Sequence, residues 1–231
     1  MAGFQITKKF ALLCEGPADQ AFFVKLFARR KINGFDIPAH GVMGKFYGVD
    51  GFGGMLRALS GDPSGYAGLK GVLMVADAGD DPERTLRRVC RSINRDGPFD
   101  AASRFIKPTA AFRVTSQPAG HPAVSVALIP DSGLGGLETI CAESAFGTKP
   151  WLRRCVQTYL SCGKLNVSEW PSERQGKAAM QCIIAALHKK DPNKPLAQLL
   201  TRKQSIINFR SANFTPFVRY VRRFCREVAA L

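Results

Sequence analysis

The run Val72-Leu73-Met74-Val75-Ala76 ends abruptly in Asp77, with Asp80, Asp81, Pro82 and Glu83 close behind. An unbroken apolar run of this length reads as a strand buried on both faces, in the middle of a parallel sheet. Parallel strands need long crossover connections, usually helices, so this stretch commits the chain to an α/β architecture. Pro82 suits the first turn of the next helix, where its missing N–H is no loss. Ligands of open α/β sheets gather outside the carboxyl ends of the strands, and Asp77 falls there. Asp80 and Asp81 have two readings, as further functional acids or as caps of the helix that follows.

The order strand, acid, glycine-bearing turn, helix appears three times. Phe10–Cys14 delivers Glu15-Gly16-Pro17-Ala18-Asp19, after which Phe22, Phe23, Leu26 and Phe27 recur at helical spacing. Ala123–Ile129 gives way to Pro130-Asp131-Ser132-Gly133-Leu134-Gly135-Gly136-Leu137-Glu138. In a parallel sheet Glu15, Asp77 and Glu138 share one edge. Residues 35–42 and 110–115 read as further strands. Residues 41–54 are glycine-rich and hold Lys45, but carry no Walker pattern. That segment is either a mobile turn or a loop that brings Lys45 to a phosphate. Residues 83–93 form a helix with Leu86, Val89, Cys90 and Ile93 on one face and Arg84, Arg87, Arg88 and Arg91 on the other.

Beyond residue 150 the pattern is helical, over residues 151–160, 172–188, 195–200 and a last helix opened by Thr215 and Pro216. In that last helix Phe217, Val221, Phe224 and Val228 make an apolar stripe. Arg219, Arg222, Arg223 and Arg226 share the opposite face, either simply solvated or tracking phosphates. Charge is uneven between the two parts. Residues 151–231 hold 15 basic against 4 acidic residues, and residues 1–150 hold 18 against 14, for a total of +15. The expected division is an α/β domain over residues 1–149 and a basic helical region over residues 150–231 packed on it. Such a balance points to a polyanion, nucleic acid first.

Other classes are disfavoured. No stretch approaches the roughly 18 apolar residues that span a bilayer, and the first residues lack a signal-peptide pattern, so a cytoplasmic protein without a membrane partner is expected. Seven cysteines are scattered without a C-x-x-C pair, unlike a zinc site or a disulfide framework. His40, His121 and His188 lack metal-ligand spacing, and no G-x-S-x-G elbow is present.

These residues resemble the TOPRIM family. Leu12-Leu13-Cys14-Glu15-Gly16-Pro17-Ala18-Asp19 is similar to its first motif, an apolar strand followed by E-G-x-x-D. The segment from Val72 to Asp81 is similar to the second, a strand ending in D-x-D. The segment from Pro130 to Glu138 resembles one found in small stand-alone TOPRIM-like proteins related to overcoming-lysogenization-defect nucleases. The resemblance covers about residues 8–145. It implies a mainly parallel sheet flanked by helices, with Mg2+ (or Mn2+) bound by acids. Carried over, Glu15 is the acid–base residue or a metal ligand, Asp77 the principal ligand and Glu138 a supporting one. Gly79 stands where the second D-x-D acid belongs. In an extended chain Asp81 shares the phase of Asp77 but lies roughly 6–7 Å further on, while Asp80 needs a turn to come round. Either is a candidate substitute.

The leading expectation is a metal-dependent nuclease acting on DNA or RNA, with Glu15 and Asp77 catalytic. Its metal set is Glu15, Asp77, Asp80, Asp81 and Glu138, and the backbone-holding residues are Lys45, Arg84, Arg88, Arg219, Arg222, Arg223 and Arg226. Defence or mobile-element biology would suit the resemblance. The alternative is a non-catalytic module that binds nucleic acid or a protein partner on a degenerate TOPRIM scaffold, with Gly79 as its support. A small-molecule phosphatase is a third, weaker reading.

Overall fold

The computed structural model describes residues 4–101, 103–162, 166–188, 191–200 and 206–231. In chain order the elements are β1 (Phe10–Cys14), α1 (Pro17–Arg30), β2 (Phe35–Asp36), α2 (His40–Met43), α3 (Phe52–Ser60), α4 (Pro63–Gly68), β3 (Gly71–Asp77), α5 (Pro82–Asp96), β4 (Ala123–Ile129), α6 (Leu137–Thr148), α7 (Pro150–Leu160), α8 (Ser172–Leu187), α9 (Leu196–Leu200) and α10 (Thr215–Ala229). The strands are all parallel, in the order β2-β1-β3-β4. β3 is internal, with every residue but Asp77 buried. Both its faces are covered, which is why it reads as one continuous apolar run.

Successive side chains of a strand still point to opposite faces, and here they feed two cores. Ala11, Leu13, Val72, Met74, Ala76, Val124 and Val126 face a core completed by Phe52, Met55 and Leu56 of α3 and Val89 and Ile93 of α5. Leu12, Cys14, Leu73, Val75, Ala127 and Ile129 face the other, with side chains from α1, α6, α8 and α10. The result is an α/β sandwich, a parallel sheet between two helical layers. The helices beyond residue 150 share this second core with the strands, so the basic region folds on the same apolar interior as residues 1–149.

α10 is the main contributor. Its Phe217 packs on Phe23 of α1 at 5.3 Å between ring centroids. Its Phe224 lies edge-on to Phe10 at 5.8 Å. A Cβ at Gly71 would sit 2.9 Å from the Phe224 ring, so glycine at the start of β3 lets α10 approach the sheet. The Tyr220 hydroxyl bonds the buried hydroxyl of Ser125 in β4.

Two expected strands are corrected. Residues 35–42 hold only the two-residue β2, followed by α2. Pro38 lies between them and, lacking an N–H, cannot continue a ladder. Residues 110–115 form no strand. Phe112 adopts a left-handed φ of 60°, which breaks an extended run. The segment instead lies antiparallel beside β4, with Phe112 N–H donating to Val126 and Thr115 exchanging bonds with Val124.

Candidate metal-facing carboxylate site

Three strand ends meet at the carboxyl rim of the sheet. Glu15 directly follows β1, and its Oε1 accepts the backbone N–H of Asp77 at 2.7 Å. Asp77 ends β3, and its Oδ1 accepts the N–H of Leu137, the first residue of α6, at 2.9 Å. A helix N-terminus favours a carboxylate. Gly136 makes this possible, because a Cβ there would sit 2.4 Å from Asp77 Oδ2. Glu138, half-buried in the first turn of α6, adds its charge to the field around Asp77 and Asp19.

Electrostatics mark the same spot. Burial, then the neighbouring Asp19 and Glu15 charges, push Asp77 up to about 8. Burial raises Glu15 to about 7, with Asp19 and Glu173 adding to the rise while the Asp77 N–H and Arg88 oppose it. Asp19, in the first turn of α1, is raised to about 6 by burial and by Glu138. Such crowding of buried like charges is typical of functional sites.

Asp19, Glu173 and Lys177 belong to this cluster and were not expected from the sequence. Asp19 had a signal, standing four residues after Glu15 in the E-G-x-x-D motif. Glu173 and Lys177 lie on α8, where they form an i,i+4 ion pair at 3.6 Å. Burial pulls Lys177 down, but Glu138, Glu173 and Asp77 together hold its ammonium above the ordinary range.

Of their two readings, Asp80 and Asp81 take the capping and anchoring one in this geometry. Asp80 is exposed and accepts the Ser172 N–H at 2.7 Å and its hydroxyl at 2.5 Å, so it anchors the start of α8. Asp81 caps α5 by accepting the Arg84 N–H at 2.8 Å. The chain is not extended beyond Asp77, so the phase argument fails. Gly79 takes a φ of 66° and exchanges two backbone bonds with Gly135, at 2.8 and 2.9 Å, which turns the backbone off the strand axis.

The basic candidates divide. Arg88 lies near the rim, paired with Asp50 at 2.6 Å and exerting its charge on Glu15. Arg84 is exposed on α5. Lys45 is exposed in the loop whose Gly48 N–H donates to the Glu15 carbonyl at 2.9 Å. Arg219, Arg222, Arg223 and Arg226 line a groove of about 560 Å³ beside Phe112 and Tyr220, which reaches the carboxyl side of β4 at Asp131. Arg222 donates to the Arg30 carbonyl and Arg223 to that of Phe112.

Hard carboxylate oxygens are the donors Mg2+ and Mn2+ prefer, and Mg2+ takes one or two of them with waters and phosphate oxygens. Glu15 and Asp77 suit that requirement, each with one oxygen held by a backbone N–H. Among the described residues no three Asp, Glu, His or Cys side chains are already drawn close enough to hold an ion as a closed set.

The sequence profile of a family described as protein of unknown function (DUF3226) matches residues 9–226, spanning β1 through α10. The chain belongs to the DUF3226 family. No curated protein and no solved structure matches it. The span of the DUF3226 profile treats the strands and the basic helices as one unit, as the shared core does.

Proposed function

We propose that this DUF3226 member is a metal-dependent phosphodiester-cleaving enzyme, a nuclease acting on DNA or RNA through a TOPRIM-like carboxylate site. The observation that carries this reading is the 2.7 Å bond joining Glu15 to Asp77, which sets two acids from adjacent parallel strands at one rim. Asp77 and Glu15 would hold the ion, with Asp19 and Glu138 beside them. A bound divalent cation supplies charge stabilisation at a phosphate and a more acidic water. Where Glu15 does not ligate the ion it would serve as the general base instead, its metal-free value being raised by burial to about 7. Asp77 keeps its carboxylate oriented through the Leu137 N–H. The arginines of α10 and Arg84 and Arg88 of α5 hold the phosphate backbone, which makes binding weaken with rising salt.

One observation favours the non-catalytic alternative, a nucleic-acid-binding module. Asp80 and Asp81 are engaged in anchoring and capping, and Gly79 offers no carboxylate between them and Asp77. The experiment that separates the readings incubates the purified chain with circular DNA, linear DNA and RNA in Mg2+ or Mn2+, beside Glu15→Gln. Cleavage confined to the wild type supports the nuclease. Binding without cleavage supports the alternative, and equal cleavage by both proteins overturns the assignment to this site.

Among the described residues no helix is long and apolar enough to cross a membrane.

A further inference from the structure

We propose that Glu173 of α8 is the acid that takes the place of the one missing at Gly79, so that the basic helical region supplies a ligand to the metal-facing set. This inference rests on the metal-dependent reading above. Gly79 leaves a gap, and Glu173 fills it. A Cβ at Gly79 would lie 3.5 Å from Glu173 Oε1 and 3.6 Å from Thr85 Oγ1. The Glu173 carboxylate therefore stands where a side chain at position 79 would project.

Its placement is built rather than incidental. Asp80 grips the first residue of α8 through both the N–H and the hydroxyl of Ser172, which ties the helix to the turn after β3. On its inner side α8 packs directly on α6. A Cβ at Gly176 would sit 2.4 Å from Thr139 Oγ1, so glycine there brings the helices together. Glu173 follows the anchored Ser172 by one residue, and its charge acts on Glu15. Lys177, one turn on, pairs with Glu173 at 3.6 Å and itself lies in the field of Glu138 and Asp77, which links Glu173 to the rim. Asp80 thus acts as a positioning residue, and the carboxylate it does not itself present is presented by the helix it holds.

The test is calorimetric titration of the chelator-treated full chain with Mn2+, with melting curves in chelator as a check that each variant folds. The wild type is expected to bind, Asp77→Asn to lose binding, and Glu173→Gln to bind at least about tenfold more weakly. Gly79→Asp in a Glu173→Ala background is expected to recover most of that loss, since aspartate is among the few residues that tolerate a left-handed backbone. No binding by the wild type overturns the metal reading and this inference with it. Binding that is lost in Asp77→Asn yet unchanged in Glu173→Gln leaves the metal reading standing and overturns the role of Glu173. A weakened Glu173→Gln that melts well below the wild type in chelator also overturns it, because the effect is then structural. Folded Gly79→Asp/Glu173→Ala protein that stays weak overturns the replacement.

Discussion

Asp77 is the most strongly shifted of the three crowded acids at the rim. Its folded value of about 8, with Glu15 at about 7 and Asp19 at about 6, lies above the ordinary carboxyl range in each case. A group whose folded value is raised binds protons more tightly when folded, so its contribution is fully present at acid pH and is lost as pH rises through the folded value. The metal-free protein should therefore weaken between about pH 4 and pH 8 through these three acids. Asp77→Asn removes the largest shift, and is expected to raise metal-free stability near pH 8 by on the order of 2 kcal/mol while matching the wild type near pH 4. Denaturant titrations at the two pH values check this, and a wild type that gains stability across the window contradicts it. Gly136→Ala drives a methyl group into the Asp77 carboxylate, 2.4 Å from Oδ2. It should cost about 1–3 kcal/mol, read in the same titration. At this scale the sequence was legible where an acid directly ends a strand, as at Glu15 and Asp77. It was silent on Glu173, because only the docking of α8 on α6 brings that side chain to the rim.

Among the elements, the clearest signals came from buried regular segments. β3 and β4 announce themselves by unbroken apolar runs, and α10 by its stripe of Phe217, Val221, Phe224 and Val228 opposite four arginines. Legibility failed where a single residue interrupts a short apolar segment. Residues 110–115 look extended by composition, yet Phe112 turns left-handed and its ring packs edge-on against Tyr220 at 5.0 Å. Residues 35–42 yield to Pro38. The start of α5 supplies a test of the corrected role of Asp81. Asp81→Ala removes the N-cap and should cost about 1 kcal/mol in a denaturant titration, with Mn2+ affinity unchanged. A loss of affinity would return Asp81 to the ligand set. Phe224→Ala, in a fully buried position between α10 and the sheet, should cost about 3–5 kcal/mol in the same measurement.

For the whole molecule, the division into an acid-bearing first part and a basic second part is visible in charge but not in the core. Leu12 and Leu73 from the strands share one cluster with Phe214, Phe217 and Val221 from the final turns and helix. Residues 1–149 expressed alone should consequently lack a cooperative melt by circular dichroism, and a sharp transition in that fragment would show that the two parts fold independently. The rims of the sheet carry a last consequence. On one side β2 offers only two residues, and on the other the loop through Phe112 and Thr115 already occupies β4. Neither margin presents a long row of free backbone groups for a strand from another chain. Self-association by sheet extension is therefore disfavoured at both flanks, and two copies of this chain would have to meet through helices rather than through strands.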